Sequence, residues 1–406
     1  MQHAVITATV RTPIGRAHKG TLTDVRPDNL LARTVAEALA RVPGLEPDSV
    51  DDLIVGCAMP GGEQGFNIAR IAALLLGWER VPAVTVNRYC TSSLQAIRMA
   101  AQAVRCGEAE VVVAAGVESL SRLERGGPDD WPGTHNPLFA LAGRRTVLGA
   151  EGGAEPWCDP RDQGLEPDPY IPVGLAAENV ADEYGITRRD MDAYAARSHR
   201  LTQLALAEGF HFADIVPVKT PDGSTATVDD CPRAGVTEQT LAALAPRFRA
   251  GGRVTAGNSA PLSDGAAAVV VMSQAYARAH GHAPLARIVS TGTAAGTPET
   301  EGPVPVVATR RALARAGLTL ADIDTVAGNE PFAAQILSYC AELGLDPERM
   351  NTHGGSIALG EPYGAAGARL TTTALTTLRA DDHTTALVSV VAAGGQGMAM
   401  VLERTP

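Results

Sequence analysis

The sequence predicts an α/β protein made of two similar halves, with a long segment inserted into the first half. Short apolar runs alternate with longer Ala-, Leu- and Arg-rich segments of helical period, as in α/β proteins with a largely parallel sheet. Both halves end in a glycine-containing turn that runs into an apolar strand, DGAAAVVVM at 264–272 and GGQGMAMVL at 394–402. Residues 120–250 break the alternation, and an insertion of that length between core elements indicates a functional or separate unit.

The first half, residues 1–119 and 251–275, is predicted to begin with a strand at 3–8. A helix follows at 28–41, because its Leu and Val residues recur on one face. The later elements are a strand at 51–56, a helix near 66–76, a strand at 83–87, a helix at about 91–105, and strands at 110–115 and 264–272.

The second half, residues 276–406, is predicted to follow a similar order. Its elements are a strand at 286–290, a helix at 305–316, a strand at 323–327, helices at 333–343 and 363–379, and strands at 384–391 and 396–403. The inserted loop domain, 120–250, begins with a Gly-, Pro-, Asp- and Trp-rich stretch at 125–170 and continues with amphipathic stretches at 174–209 and 236–246.

Composition and charge exclude several functions. With 45% hydrophobic residues the chain has material for a core, and a net charge of −11 offers no cationic surface to nucleic acid or anionic lipid. No apolar run reaches the roughly 18–20 residues of a membrane span, and the start lacks the pattern of a signal peptide. Six scattered cysteines and nine histidines show no metal-ligand spacing, which predicts reduced thiols, a cytoplasmic location and no metal.

Cys90 is the candidate nucleophile. It lies between a buried strand ending at Asn87 and the start of an amphipathic helix, where free N–H groups and the positive end of the helix favour a thiolate. We expect this position to lower the thiol pKa from about 8.5 towards about 7, which would ionise half of it. The alternative is a buried cysteine that packs as a small apolar residue. The other five cysteines lack this setting and are expected to be structural.

The stretch around Cys90, VNRYCTSSLQAI, resembles the nucleophile motif of the thiolase family, acetyl-CoA acetyltransferases and 3-ketoacyl-CoA thiolases. Six further stretches resemble motifs of the same family in the same order: AGVESLS (115–121), GLAAENV (174–180), TAGNSAPLSDG (255–265), NEPFA (329–333), GGSIALGEPYGAAGAR (354–369) and GGQG (394–397). The resemblance implies an acyl-CoA-dependent transferase of five-layered αβαβα fold, formed from two similar halves with a CoA-binding loop domain.

The resemblance also implies residue roles. Cys90 would carry the acyl group, Asn329 would orient the water of one oxyanion hole, and the N–H groups of Cys90 and Ala393 would form a second hole. Coenzyme A would be a substrate and no cofactor would be bound permanently. A homodimer or homotetramer is implied, with 126–145 as the tetramer-forming loop. The expected CoA contacts are Arg233, Thr240, Phe248, Ala256, Ser259, Ala260 and Leu262.

Two positions depart from the family. Glu361 stands where the family has its catalytic His, and Val391 where it has a second Cys that moves a proton at the α-carbon. Transfer of a thiol proton to His is uphill by about 3 kcal/mol, and to an ordinary Glu by about 6 kcal/mol, although burial can raise the pKa of a Glu. Val391 cannot move protons. His353, in a nearby loop motif, is a possible replacement base.

Three hypotheses follow. The first is a thiolase-like acyltransferase in which Cys90 takes the acyl group. Glu361 then assists either transfer to an acceptor other than a second acyl-CoA, or condensation without the usual second Cys. The second is a catalytically impaired subunit that binds CoA and partners an active enzyme. The third is an ordinary 3-ketoacyl-CoA thiolase with His353 as its base.

Overall fold

The computed structural model describes residues 2–123, 133–152 and 156–405, so residues 126–132 of the expected tetramer-forming loop lie outside it. The described residues form twelve strands. These are β1 (Ala4–Arg11), β2 (Gly15–Arg16), β3 (Asp52–Gly56), β4 (Ala83–Val86), β5 (Val111–Ser119), β6 (Val218–Lys219), β7 (Thr225–Ala226), β8 (Ser263–Ser273), β9 (Ala286–Ala295), β10 (Thr325–Gly328), β11 (Thr385–Ala392) and β12 (Gln396–Arg404).

The same residues form twelve α-helices. These are α1 (Pro27–Ala40), α2 (Ile68–Leu75), α3 (Ser92–Cys106), α4 (Ala140–Gly152), α5 (Val173–Glu183), α6 (Arg188–Ala207), α7 (Glu238–Ala242), α8 (Gln274–Ala279), α9 (Val304–Ala316), α10 (Ala333–Leu343), α11 (Ser356–Leu359) and α12 (Ala366–Ala380). The order of strands and helices predicted for both halves is confirmed. None of the described helices is both long enough and apolar enough to cross a membrane.

The two halves repeat one strand order. The first runs β4-β3-β5-β8-β1 and the second β10-β11-β12-β9, so β3, β5, β8 and β1 correspond to β10, β11, β12 and β9. The two sheets are joined where β1 meets β9 through two residue pairs. This arrangement confirms the predicted α/β fold made of two similar halves.

The expectation of a largely parallel sheet is wrong. Parallel pairing is confined to β3 with β4, β3 with β5, and β10 with β11. The remaining ladders of the large sheet are antiparallel, the β11-β12 ladder among them. These two strands are joined by a short turn, whereas a parallel neighbour would need a crossover connection. Gly394 and Gly395 form that turn with φ values of 72° and 66°, a conformation that glycine adopts without strain.

Three buried clusters separate five layers. One cluster packs α1 and α2 on the outer face of the first sheet, and another packs α9 and α10 on the outer face of the second. Between them, α3 and α12 lie between the inner faces of both sheets. Successive residues of β5 point into different clusters, as the two-residue period of a strand buried on both faces requires. The αβαβα layering implied by the resemblance is thereby confirmed.

The segment between β5 and β8 contains α4 to α7 and the small β6-β7 sheet. Its helices α5 and α6 share a buried cluster with α10 and so pack on the second half of the molecule. Glu299, near the start of α9, accepts hydrogen bonds from Trp157 and from the N–H of Asp168 in this segment. We propose that residues 120–250 are one unit inserted in the first half and supported by the second.

Candidate active site

Cys90 lies at a strained corner between β4 and α3. Tyr89, just before it, has a φ of 46°, a left-handed conformation that is costly for a bulky residue and persists only where surrounding contacts impose it. Two contacts do so: the N–H of Tyr89 donates to Oδ1 of Asn87 at 2.8 Å, and the N–H of Arg88 donates to Oγ of Ser92 at 2.8 Å. The corner therefore holds Cys90 in a fixed position at the start of α3.

The first turns of α3 and α12 pack directly against each other. A Cβ added at Gly367 would lie 2.8 Å from Cα of Leu94, so only glycine permits this approach. The N–H of Ala368 also donates to Oγ of Ser93 at 3.0 Å across the contact. Since Glu361 precedes α12 and Cys90 precedes α3, this contact brings the two residues to one site.

Glu361 is buried beside Cys90 and is held by side chains. Its Oε1 accepts a hydrogen bond from Nδ2 of Asn329 at 2.8 Å, and its carboxyl group also interacts with the hydroxyl of Ser356, which itself accepts from Arg369. Burial raises the pKa of Glu361, although the Asn329 hydrogen bond, the charge of buried Arg369 and the Ser356 hydrogen bond act in the opposite direction. The site therefore contains a buried carboxyl group with a raised pKa.

Asn329 is fixed by the backbone of Val391. Its Oδ1 accepts from the N–H of Val391 at 2.9 Å, and its Nδ2 donates to the carbonyl of Val391 at 2.9 Å as well as to Glu361. Both Nδ2 hydrogens are thus used within the protein. A water molecule can reach Asn329 only at the second lone pair of Oδ1, so the direct contact of Asn329 is with Glu361.

The expected lowering of the Cys90 pKa is wrong. Burial raises the pKa of this thiol well above its usual value, and the carboxylates of Glu361, Glu301 and Glu118 add to the rise in that order. Burial and these carboxyl groups act against the effect expected of the helix start. With a raised pKa, the thiol needs a base that takes its proton during the reaction.

Ala393 lies in the β11-β12 turn, next to the corner that contains Cys90. A Cβ added at Gly394 would be 3.6 Å from the ring of Tyr89, which shows how closely the turn approaches that corner. In the part of the chain that the structure describes, the N–H groups of Cys90 and Ala393 donate to no other residue. Two unpaired backbone donors near one thiol are what an oxyanion hole requires.

The structure does not bring His353 to this group. Its ring stacks on Phe210 at a centroid distance of 3.9 Å, and its Nε2 lies 3.7 Å from Asp381. Asp381 follows the last residue of α12, whereas Glu361 precedes the first turn of that helix. Burial lowers the pKa of His353, and none of its recorded contacts is with Cys90, Glu361 or Asn329.

Part of the expected CoA set lies beside the reaction centre. Ser259 pairs with Phe332 and the N–H of Ala260 donates to the carbonyl of Pro331, while Leu262 pairs with Glu361 itself. The Phe248 ring packs edge-on against Phe332 at 5.7 Å. Phe248 and Leu262 remain exposed, so these residues present an apolar surface next to Glu361.

The other members of the set lie farther out. Arg233 is exposed and lines a cleft of about 670 Å³ with His199 and Arg200. Thr240 is exposed in the first turn of α7, where it exchanges hydrogen bonds with the N-cap residue Thr237. Ala256 is also exposed, and the next residue, Gly257, closely approaches the α7 region. In the described residues, no group of three or more His, Cys, Asp and Glu side chains is arranged to hold a metal.

Sequence reasoning missed two buried charged residues at the site, Glu301 and Arg369. Arg369 lies within a motif noted above but had no expected role; it is fully buried, and its Nη2 donates to Oγ of Ser356 at 2.9 Å. Glu301 lies between a strand and a helix, where a charged residue is ordinarily exposed. No motif singled it out, and only its burial distinguishes it.

The comparisons with known proteins cover both halves. The family model described as "Thiolase, N-terminal domain" matches residues 4–147 and 161–275, and "Thiolase, C-terminal domain" matches 282–404. A 3-ketoacyl-CoA thiolase of Bacillus subtilis is 40% identical, over 99% of this chain and all of that protein. An acetyl-CoA acetyltransferase of Pseudomonas aeruginosa is 41% identical over the full length of both. The solved acetyl-CoA acetyltransferase of Bacillus anthracis has a TM-score of 0.86 and 35% identity, covering 100% of this chain and 99% of that one.

Proposed function

This chain belongs to the thiolase family of acyltransferases, and from that premise we propose that Cys90 accepts the acyl group of a coenzyme A thioester while Glu361 accepts the thiol proton. The observation that supports the proposal is the packing of the α3 and α12 starts against each other, together with the charge of buried Glu361 acting on the Cys90 thiol. The names of the relatives, 3-ketoacyl-CoA thiolase and acetyl-CoA acetyltransferase, support a CoA thioester as the substrate.

The acylation step begins with transfer of the Cys90 proton to Oε2 of Glu361. The sulfur then attacks the thioester carbonyl carbon, and the N–H groups of Cys90 and Ala393 stabilise the oxyanion. The carbon–sulfur bond to coenzyme A breaks, and the departing thiolate takes the proton from Glu361. The step leaves an acyl group on Cys90, a free coenzyme A thiol and an ionised Glu361.

With Glu361 as the base, the proton transfer moves one negative charge from the carboxylate to the sulfur. With a His as the base, the same transfer would create an ion pair. Burial raises the pKa of both groups. With ordinary pKa values, transfer of a thiol proton is uphill by about 6 kcal/mol to Glu and by about 3 kcal/mol to His. We therefore expect slower acylation than in a family member with His at this position.

The deciding experiment is the intact-protein mass after mixing with a panel of acyl-CoAs. The expected result is a mass gain equal to the acyl group in the wild type, slow gain in Glu361→Gln and none in Cys90→Ala. No adduct with any acyl-CoA, together with retained CoA binding, would overturn the proposal and favour the impaired subunit. The contacts of His353 do not favour the third hypothesis, in which His353 is the base of an ordinary thiolase. That hypothesis would gain support if Glu361→Gln left Cys90 acylation unchanged while His353→Ala abolished it.

We also propose a homodimer as the basic assembly. Strand β4 ends the sheet, and on its outer side it pairs with no other strand of the described residues. Phe66 near this edge is 92% exposed, and Leu74 and Leu75 of α2 are also exposed. An unpaired edge with apolar neighbours is a surface for pairing with a second copy. Light scattering after gel filtration will distinguish monomer, dimer and tetramer.

A further inference from the structure

Glu301 is a second buried carboxyl group near the nucleophile. It lies just before α9 and is 3% exposed. Its Oε1 accepts a hydrogen bond from Nε2 of Gln335 in α10 at 2.9 Å, and its Oε2 accepts a long one from the N–H of Gly395 at 3.4 Å. No cationic side chain of the described residues lies within ion-pair distance of it. A buried carboxyl without a cation is costly, so its retention needs a reason.

The partners of Glu301 place it on the Val391 side of the reaction centre. Gly395 belongs to the β11-β12 turn that contacts the corner of Cys90. Gln335 lines a cavity of about 10 Å³ together with Asn329, Val391 and Gly302, the residue after Glu301. Glu301 is also one of the carboxylates whose charge acts on the Cys90 thiol. Glu361, which is bonded to Asn329, also acts on this thiol, so the charges of two different carboxyl groups reach Cys90.

We propose that Glu301 moves the α-carbon proton of the acceptor, the task for which Val391 has no suitable group. The inference rests on the proposed function, because it assumes an acyl group on Cys90. In this step the Glu301 carboxylate takes a proton from the α-carbon of a second acyl-CoA. That carbon bonds to the carbonyl carbon of the acyl group, the carbon–sulfur bond to Cys90 breaks, and the thiolate takes the proton from Glu301. The product is a 3-ketoacyl-CoA, and the enzyme returns to its starting state.

The surroundings of Glu301 suit this task. Burial raises its pKa to about 8, and the hydrogen bonds from Gly395 and Gln335 offset only part of the rise. A base with a pKa near the working pH is the most effective. Three elements face the carboxyl: α10 with uncharged Gln335, the turn with a backbone N–H, and the corner before α3 with the Cys90 thiol. We expect the α-proton step to rise with pH and level off above about pH 8.

The test separates acylation from α-proton transfer in the same samples. Wild type, Glu301→Gln and the control Glu299→Gln are mixed with acetyl-CoA in D2O, and both the Cys90 adduct and deuterium at the α-carbon are followed by mass spectrometry. Glu299 is a matched control, because it is also buried but its carboxyl faces Arg145, Trp157 and Asp168. Glu301→Gln should keep the adduct and lose roughly 10²–10⁴-fold in deuterium exchange, while Glu299→Gln keeps both and the wild-type pH profile.

A second variant distinguishes proton transfer from support of the turn. If Glu301 only held Gly395, Glu301→Gln would slow acylation and exchange together, which would overturn the inference. The double variant with Glu301→Gln and Val391→Cys should exchange deuterium at least about 10-fold faster than Glu301→Gln alone, because a thiol at position 391 can move the proton. A wild-type adduct without exchange, or exchange unchanged in Glu301→Gln, overturns the inference alone. Absence of the Cys90 adduct in the wild type overturns the proposed function as well.

Discussion

In the N-terminal half, Cys90 stands two residues before α3, and in the C-terminal half Glu361 stands five residues before α12. Both precede the helix that packs between the two sheets, so the repeated fold supplies two equivalent corners that meet at Gly367 and Leu94. The first corner resembles the family motif around its cysteine, whereas at the second corner the motif predicts that Glu361 stands in place of the family's His. The backbone contact that brings the corners together does not depend on that exchange.

Two buried carboxylates near the corners, Glu118 of β5 and Glu361, differ in their hydrogen bonds. Glu118 accepts from the N–H groups of Ala58, Met59 and Gly364 and from Nε2 of Gln64, at 2.7–3.2 Å. In the described residues, Glu361 is held by side chains, Nδ2 of Asn329 and the hydroxyl of Ser356. A carboxylate that accepts from several buried backbone N–H groups would leave them unsatisfied if it took a proton or moved. We therefore expect Glu118 to be structural and Glu361 to be reactive.

Removal of the nucleophile tests the first corner and should have the largest effect. We expect Cys90→Ser to lose acylation by about 10⁴-fold, since a serine hydroxyl is far less acidic than a thiol. The measurement is the rate of mass gain with acetyl-CoA. Cys106→Ser, at the exposed end of the same helix, is the control and should acylate at the wild-type rate. Loss in both variants would contradict the assignment.

Replacing each carboxylate by its amide sharpens the comparison directly. Glu118→Gln should lower the free energy of unfolding by roughly 3 kcal/mol, because an amide NH2 group would face buried N–H donors. Glu361→Gln should lower it less, by about 1 kcal/mol, since its carboxyl group is held by side chains and not by buried backbone N–H groups. Urea denaturation of both variants measures the difference. Equal losses would contradict the division into a structural and a reactive carboxylate.

Placing at the second corner the His that the motif predicts for the family should raise the rate of acylation. We expect Glu361→His to accelerate acylation of Cys90 by up to about 100-fold, because the pKa of His is about 2 units closer to that of a thiol. Single-turnover mass spectrometry at several pH values measures the gain. A His variant no faster than the wild type would show that Glu361 is already matched to its task.

Separating the two corners tests the contact between them. In Gly367→Ala the new methyl group would overlap the backbone of Leu94, and we expect a loss of roughly 1–3 kcal/mol in the free energy of unfolding together with slower acylation. Gly149→Ala in α4 is the control, because a Cβ there meets nothing within 4 Å and should stabilise the helix slightly. Two variants with the same stability would contradict this account of the packing.

The last prediction concerns the pH dependence of stability, which single-site substitutions at one pH do not show. Glu301 has a usual pKa of 4.5, raised to about 8 in the fold, so the folded state binds more protons than the unfolded state between these values. Its contribution to stability is therefore complete below about pH 4.5 and is lost as the pH rises through about 8. Relative to Glu301→Gln, the wild-type Tm should fall by several degrees over this interval in thermal unfolding scans. Parallel curves would contradict the burial of a charge at Glu301.

The sequence determined the elements and the candidates at the site. Periodicity predicted the long strands and helices of both halves, because those patterns follow from one face meeting a core, but not short elements such as β2 and α8. The turn before the last strand was visible as two glycines, yet the antiparallel pairing it produces was not predicted. Strand direction depends on how elements far apart in the chain meet, and β1, β8, β9 and β12 lie side by side only in the folded molecule.

The motifs supplied Cys90, Glu361 and Asn329, and only the tertiary structure decided their electrostatics. A helix start by itself favours a thiolate, but burial and three carboxylates from separate parts of the chain reverse that preference at Cys90. The same folding buries Glu301, which the sequence shows only as a charged residue in a loop. A pKa depends on which charges and how much water surround a group, and these are set by packing between distant segments.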